Sequence, residues 1–138
     1  MTKNTTYLKI TTLQEVFFEG EVRSVSLKTK SGGAICLQPN RTSFFSTIDI
    51  CKLSINSPGD NDYKVCSING GLVYADATNI KIITDDIIYG ANIDIKKAYE
   101  EKEEALALLE KYKNTKDELK IELKLKKALN KIEVYNNK

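Results

Sequence analysis

Ile93-Asp94-Ile95-Lys96-Lys97-Ala98 divides the chain into two kinds of sequence. Before it, β-branched residues and turn residues alternate over short periods. After it there is no Pro or Gly, and charges dominate with Ala and Leu set among them. Asp94 carries the short oxygen-bearing side chain of a helix N-cap, able to accept from the free N–H groups of a first turn. The seam predicts a small β domain over residues 1–88 and a two-helix arm over 89–138.

On the C-terminal side, residues 94–113 read as a helix with Ala98, Ala105, Leu106, Leu108, Leu109 and Tyr112 at apolar positions. Glu100, Glu101, Glu103, Glu104 and Glu110 form its solvated face. Asn114-Thr115 breaks it. Thr115-Lys-Asp-Glu118 has the capping-box spacing and predicts a second helix starting there and running to about Val134. Leu119, Leu123, Ala128, Leu129 and Ile132 supply its packing stripe. Two helices joined by so short a turn make an αα-hairpin.

On the N-terminal side, residues 7–18 open with alternating apolar and polar residues, the period of a half-buried strand. Glu19-Gly20 reads as a turn, and 21–29 and 34–37 as strands around the Lys30-Ser31-Gly32-Gly33 turn. Residues 42–55 lead into another strand, and Ser57-Pro58-Gly59-Asp60-Asn61-Asp62 is a dense hairpin tip. Three more strands follow at 63–68, 71–75 and 79–84. So many short strands need two layers sharing a core, which points to a β-sandwich or flattened barrel.

The 138 residues carry a formal net charge of +2, too small by itself to argue for nucleic acid. Residues 1–88 hold nine basic and nine acidic side chains; the last fifty hold twelve and ten, a denser mixture. Three cysteines without a CxxC spacing favour reduced thiols, and the absence of His argues against a metal site. The N-terminus lacks the apolar core of a signal peptide, and no apolar run approaches membrane-spanning length. A role at a membrane therefore calls for a partner that holds the chain there.

The residues do not describe an enzyme. No His serves as general base, and no Ser or Cys lies in a nucleophile context. Gly32-Gly33 and Gly70-Gly71 lack the residues of a phosphate-binding loop. Asp60, Asp62, Asp85 and Asp86 read as turn residues. Lys120, Lys124, Lys127 and Lys131 recur at i, i+4, i+7 and i+11, along one side of the second helix. They read as a solvated face or as a basic ridge that docks on an acidic surface; without aromatics or Arg beside them they do not suit nucleic acid.

Gly20-Glu21-Val22, the run from Thr29 through Gly33-Ala-Ile-Cys-Leu-Gln-Pro39, and Gly70-Gly71-Leu72 stand in the order and spacing of the epsilon subunits of F-type ATP synthases. In the helical half, Ile93-Asp94-Ile95-Lys96-Lys97-Ala98 is similar to that family's I/L-D-x-x-R-A signature. Leu125-Lys-Lys-Ala-Leu-Asn-Lys-Ile132 is similar to its terminal L-K-R-A-x-N-R-L. The resemblance spans nearly the whole chain.

This resemblance implies a sandwich of about ten strands followed by a helical hairpin, in a non-catalytic rotor-stalk subunit. Such a sandwich binds the gamma subunit and the membrane c-ring. The hairpin lies folded or extends along gamma, where its basic second helix meets an acidic segment of the beta subunits and inhibits ATP hydrolysis. The resemblance places the subunit on the cytoplasmic face of the cell membrane, without direct membrane insertion. It implies ATP contacts at Asp94, Lys97, Lys127 and Lys131, but three of these stand where ATP-binding members have Arg. Lys keeps the charge and loses the planar fork, so weak or absent ATP binding and no cofactor are expected.

The family's Pro-x-His-x-Pro loop, at the c-ring end, reads here Pro39-Asn40-Arg41-Thr42-Ser43. That departure opens a second reading, a subunit of an F1-like ATPase without a standard proton channel. A reading of another class is a free-standing β-sandwich binding module with a helical dimerisation tail.

Overall fold

A computed structural model describes residues 4–137; the signal-peptide reading of Met1-Thr2-Lys3 lies outside them in that part. The chain forms two compact units, one ending at Tyr89 and the other beginning at Gly90.

The first unit has eight strands: β1 (Thr6–Thr11), β2 (Val16–Val22), β3 (Val25–Thr29), β4 (Gly33–Leu37), β5 (Phe44–Ile55), β6 (Lys64–Ala75), β7 (Asn79–Ile83) and β8 (Ile87–Tyr89). Their order is β2-β1-β7-β6-β5-β3-β4, with β8 also beside β6. Every pairing is antiparallel except β1 with β7.

The long strands β5 and β6 belong to both layers of the sandwich. β3 lies along the second half of β5 (Val25 opposite Ile55), and β8 along the first half of β6 (Ile68 opposite Ile87). β7 instead pairs the far half of β6, with Leu72 opposite Ile83, and brings β1 and β2 with it. The crossing is at Gly70-Gly71. Cys66 and Ile68 face the core on one side of it, and Val73 and Ala75 on the other, so the inward phase slips by one residue. Positive φ at Gly70 (90°) and Gly71 (147°) permits that slip. A Cβ on Gly71 would collide with the carbonyl of Ile83 and lie 3.1 Å from Cβ of Thr84. Thr84 Oγ1 donates to the Gly70 carbonyl at 2.5 Å and fixes the corner.

One core joins the layers. Leu8, Ile10, Val25, Leu53, Cys66, Ile68, Val73, Ile80 and Ile82 are all fully buried in it. The Phe17 and Tyr89 rings, 4.4 Å apart, stack across from β2 to β8. Arg23 donates to Asp60 at 3.1 Å and also to Asp62, tying the β5–β6 hairpin tip to the end of β2.

The second unit is a 3-10 turn (Gly90–Asn92) followed by α1 (Ile95–Lys111) and α2 (Glu118–Asn136). The two helices pack on each other, and the turn packs on α2.

Several expectations need correction. The sandwich has about eight strands rather than the ten the resemblance implied, and residues 64–75 form one strand through Gly70-Gly71 where two were expected. The 7–18 stretch is two strands. Thr12 makes the turn between them, its Oγ1 accepting from the N–H groups of Gln14 and Glu15 at 3.3 and 3.2 Å, with no Gly or Pro to announce it. Gly20, expected in a turn, pairs Leu8 inside β2, and the expected 21–29 strand breaks between Val22 and Val25. The capping box also fails: α2 starts after Asp117, and Glu118 accepts from the Asn114 N–H, whose residue holds φ 64° in the turn. On α2 the buried residues are Ile121, Ala128, Ile132 and Val134, whereas Leu119, Leu123 and Leu129 are exposed. On α1 only Ala98 and Ala105 are buried, and Leu106 is exposed.

Candidate functional site

Three features stand out from the scaffold. The first is a patch that the hydrophobic periodicity did not reveal. On the outer face of the layer formed by β7 and the adjoining halves of β5 and β6, Phe45 pairs Tyr74 and Leu72 pairs Ile83. Phe45 is 67 % exposed, Ile83 54 % and Tyr74 46 %, while their neighbours Val73, Ala75, Ile80 and Ile82 fill the core. Cross-strand register makes these four side chains one apolar surface. Thr47, paired with Leu72, and Thr11, paired with Ile83, edge it. Lys81, paired with Tyr74, and Lys9 beyond it add positive charge. The available signal was the unbroken apolar run Leu72-Val73-Tyr74-Ala75, too apolar for a strand with one face in water.

The second feature is the loop Pro39-Asn40-Arg41 between β4 and β5. Asn40 takes φ 62°, and its N–H donates to the Ala77 carbonyl at 2.9 Å. The Arg41 guanidinium donates to the carbonyls of Asp76 and Asn79, the latter at 3.4 Å. Burial pulls the Arg41 pKa below its ordinary value, opposed by Asp76. Asp76 in turn accepts from the N–H groups of Thr78 (3.0 Å) and Asn79 (2.8 Å), which holds its carboxyl below the usual range.

The third is the helical unit. Asp94, with φ −82° and ψ 97°, caps α1 and accepts from the Lys97 N–H at 3.2 Å. Such a cap is worth about 1 kcal/mol. Asp94 and Lys97 therefore share the first turn of α1, and both are exposed. Lys120 and Lys124 are exposed, Lys127 and Lys131 half-buried. At 3.6 residues per turn these four lysines lie within one narrow stripe, and Glu118, Glu122 and Glu133 fall roughly half a turn away. Three or four residues from each ridge lysine stand mainly other lysines and apolar residues; Asp117 beside Lys120 is the exception. The ridge is thus poorly neutralised within its own helix.

No group of three or more metal-ligating side chains occurs among the described residues. Burial pushes the Cys66 thiol up to about 12, so it stays protonated and inert. Cys36, on the edge strand β4, is exposed. No described helix is long and apolar enough to cross a membrane.

The family described as "ATP synthase, Delta/Epsilon chain, beta-sandwich domain" matches residues 5–90. The ATP synthase epsilon chain of Mycoplasmopsis pulmonis is 40 % identical over 131 residues, covering 94 % of this chain and 92 % of that one. That of Mycoplasma mobile is 41 % identical over 138 residues, covering 99 % and 97 %. Among solved structures, a chain of Euglena gracilis mitochondrial ATP synthase, determined with its F1 and c-ring parts, superposes with a TM-score of 0.76. At 18 % identity, over 91 % of this chain and 78 % of that one, it speaks for the fold.

Proposed function

The chain belongs to the delta/epsilon family of ATP synthase subunits, and from that premise we propose that it is a non-catalytic subunit of the central stalk, joining gamma to the c-ring. The observation that carries this reading is the apolar patch of Phe45, Leu72, Tyr74 and Ile83. Four large side chains left in water on one rigid layer are the mark of a covered interface. Gamma is the partner assigned to it, and the Pro39-Asn40-Arg41 end is assigned to the ring. The subunit then sits peripherally on the cytoplasmic face of the membrane through its partners.

The arm supports a second activity, inhibition of ATP hydrolysis. The ridge Lys120, Lys124, Lys127 and Lys131 has Asp117 as its one acidic neighbour at helical spacing on α2 and suits an acidic segment of the beta subunits. Asp94, Lys97, Lys127 and Lys131 have the charges for a nucleotide but not the guanidinium forks, so ATP binds weakly or not at all. Adding the subunit to an α3β3γ complex is expected to lower ATP hydrolysis, and truncation at about Ile93 to restore it. Unchanged hydrolysis in both experiments would remove the inhibitory role and leave the stalk role standing. Failure of the intact chain to co-purify with gamma would remove the stalk role itself and favour the dimerising binding module.

A further inference from the structure

At one end of the sandwich the β6–β7 turn, residues 76–78, is braced from within and by β1. Asp76 braces it internally, and the Thr78 carbonyl accepts from the Tyr7 N–H and the Thr6 hydroxyl of β1, both at 2.9 Å. The β4–β5 loop is tied to that turn by side chain and backbone alike. It has neither strand nor helix from Gln38 to Ser43, and its ties to the turn are the Asn40 N–H and the Arg41 guanidinium.

Arg41 is also turned the wrong way to serve as a surface cation. Its Nη1 is spent on the carbonyls of Asp76 and Asn79, and its Nε and Nη2 are sealed from solvent. A partner carboxylate would have to dismantle the clasp to reach them. What the two loops expose instead is hydrogen-bonding and almost uncharged: Gln38, Asn40, Thr42, Ser43, Thr78 and Asn79.

We propose that Arg41 is a positioning residue that fastens the β4–β5 loop to the β6–β7 turn, making one polar docking surface for the rotor ring without touching the ring itself. The inference rests on the ring assignment above and adds what the surface recognises. Its neutral donors and acceptors fit a ring loop that presents backbone and amide or hydroxyl groups, not an acidic side chain. Association through such a surface is nearly independent of salt, unlike a contact to an exposed Arg.

The test uses the complex of gamma with this chain, bound to the purified rotor ring in detergent. Arg41→Ala is expected to weaken ring association at least tenfold and to leave gamma association within twofold, which also reports an intact sandwich. A second variant adds Asn40→Cys and Ala77→Cys to Arg41→Ala, in a Cys36→Ser background. Oxidising that pair replaces the clasp by a disulfide and is expected to restore ring association to within threefold of the parent; reduction should abolish the rescue. Wild-type association should change less than twofold between low and high salt.

Ring association unaffected by Arg41→Ala would overturn the proposal alone. So would steep salt dependence, or an oxidised variant that stays defective, since either makes Arg41 a contact residue. A wild-type complex that holds gamma but never binds the ring would overturn the ring assignment together with the proposal.

Discussion

The two units of this chain bury different things. In the sandwich, fully buried positions are large: Leu8, Ile10, Leu53, Ile68, Ile80 and Ile82. In the hairpin Ala98, Ala105 and Ala128 share the buried set with only Ile121, Ile132 and Val134 on the two helices, and Leu106, Leu119, Leu123 and Leu129 are exposed. Burial of a Leu or Ile side chain is worth roughly 1.5–3 kcal/mol and that of a methyl much less, so most hydrophobic stabilisation lies in the first unit. The sandwich is built as a fixed body. The hairpin keeps its surface for something else, and a marginal helix pair is suited to changing partners.

The largest effect that would break this contrast is at the corner of the sandwich. Gly71→Ala places a methyl against the Ile83 carbonyl at a φ that L-residues avoid. A loss of about 4 kcal/mol is expected, from backbone strain plus overpacking, measured by urea unfolding followed by circular dichroism. A loss under about 1 kcal/mol would mean that the strand does not need its glycine to change layers.

Next come paired truncations. Leu53→Ala, at a fully buried position, should cost about 3 kcal/mol. Ile121→Ala on α2 should cost about half as much, because its surroundings collapse more easily, and hydrogen exchange should show the loss confined to the helices. Global loosening by the helix variant would erase the distinction between the units.

The smallest effect is electrostatic. Hydrogen bonds from Arg23 hold the Asp62 carboxyl below its ordinary 3.8. A folded pKa below the unfolded one gives stability that is complete above the unfolded value and lost as pH falls through the folded one. Asp62→Asn should therefore remove that increment at neutral pH and flatten part of the stability decline below pH 3.8. Both side chains are solvent-exposed, so the change is slight.

Much of the fold was legible because side-chain pattern and turn chemistry agreed. Pro58-Gly59 marked the β5–β6 hairpin, Gly32-Gly33 the β3–β4 turn, and Asp94 the start of α1. The failures share one cause. Gly20 and Gly70-Gly71 were read as punctuation, yet Gly20 sits inside a strand and Gly70-Gly71 lets a strand continue through a change of layer. Conversely, the turn at Thr12–Glu15 depends on a hydroxyl that reads as an ordinary strand residue.

The candidate site was legible by halves. The ridge on α2 and the cap at Asp94 follow from spacing. The patch does not, because pairing Phe45 with Tyr74 and Leu72 with Ile83 requires the register of three strands, and outward-facing apolar residues look like core in a one-dimensional pattern. Arg41 was legible as an unusual residue in its loop, but its inward clasp depends on the distant carbonyls of Asp76 and Asn79.

The central claim is that the sandwich is a fixed platform whose apolar outer face holds gamma. Its most direct test is the affinity of gamma for the doubly substituted Phe45→Ser, Tyr74→Ser chain against the parent. The platform account predicts a fall of about 100-fold or more, as for loss of buried aromatic anchors, with unfolding stability within about 0.5 kcal/mol because neither side chain belongs to the core. Unchanged affinity in a folded variant would contradict it and place gamma elsewhere on the molecule.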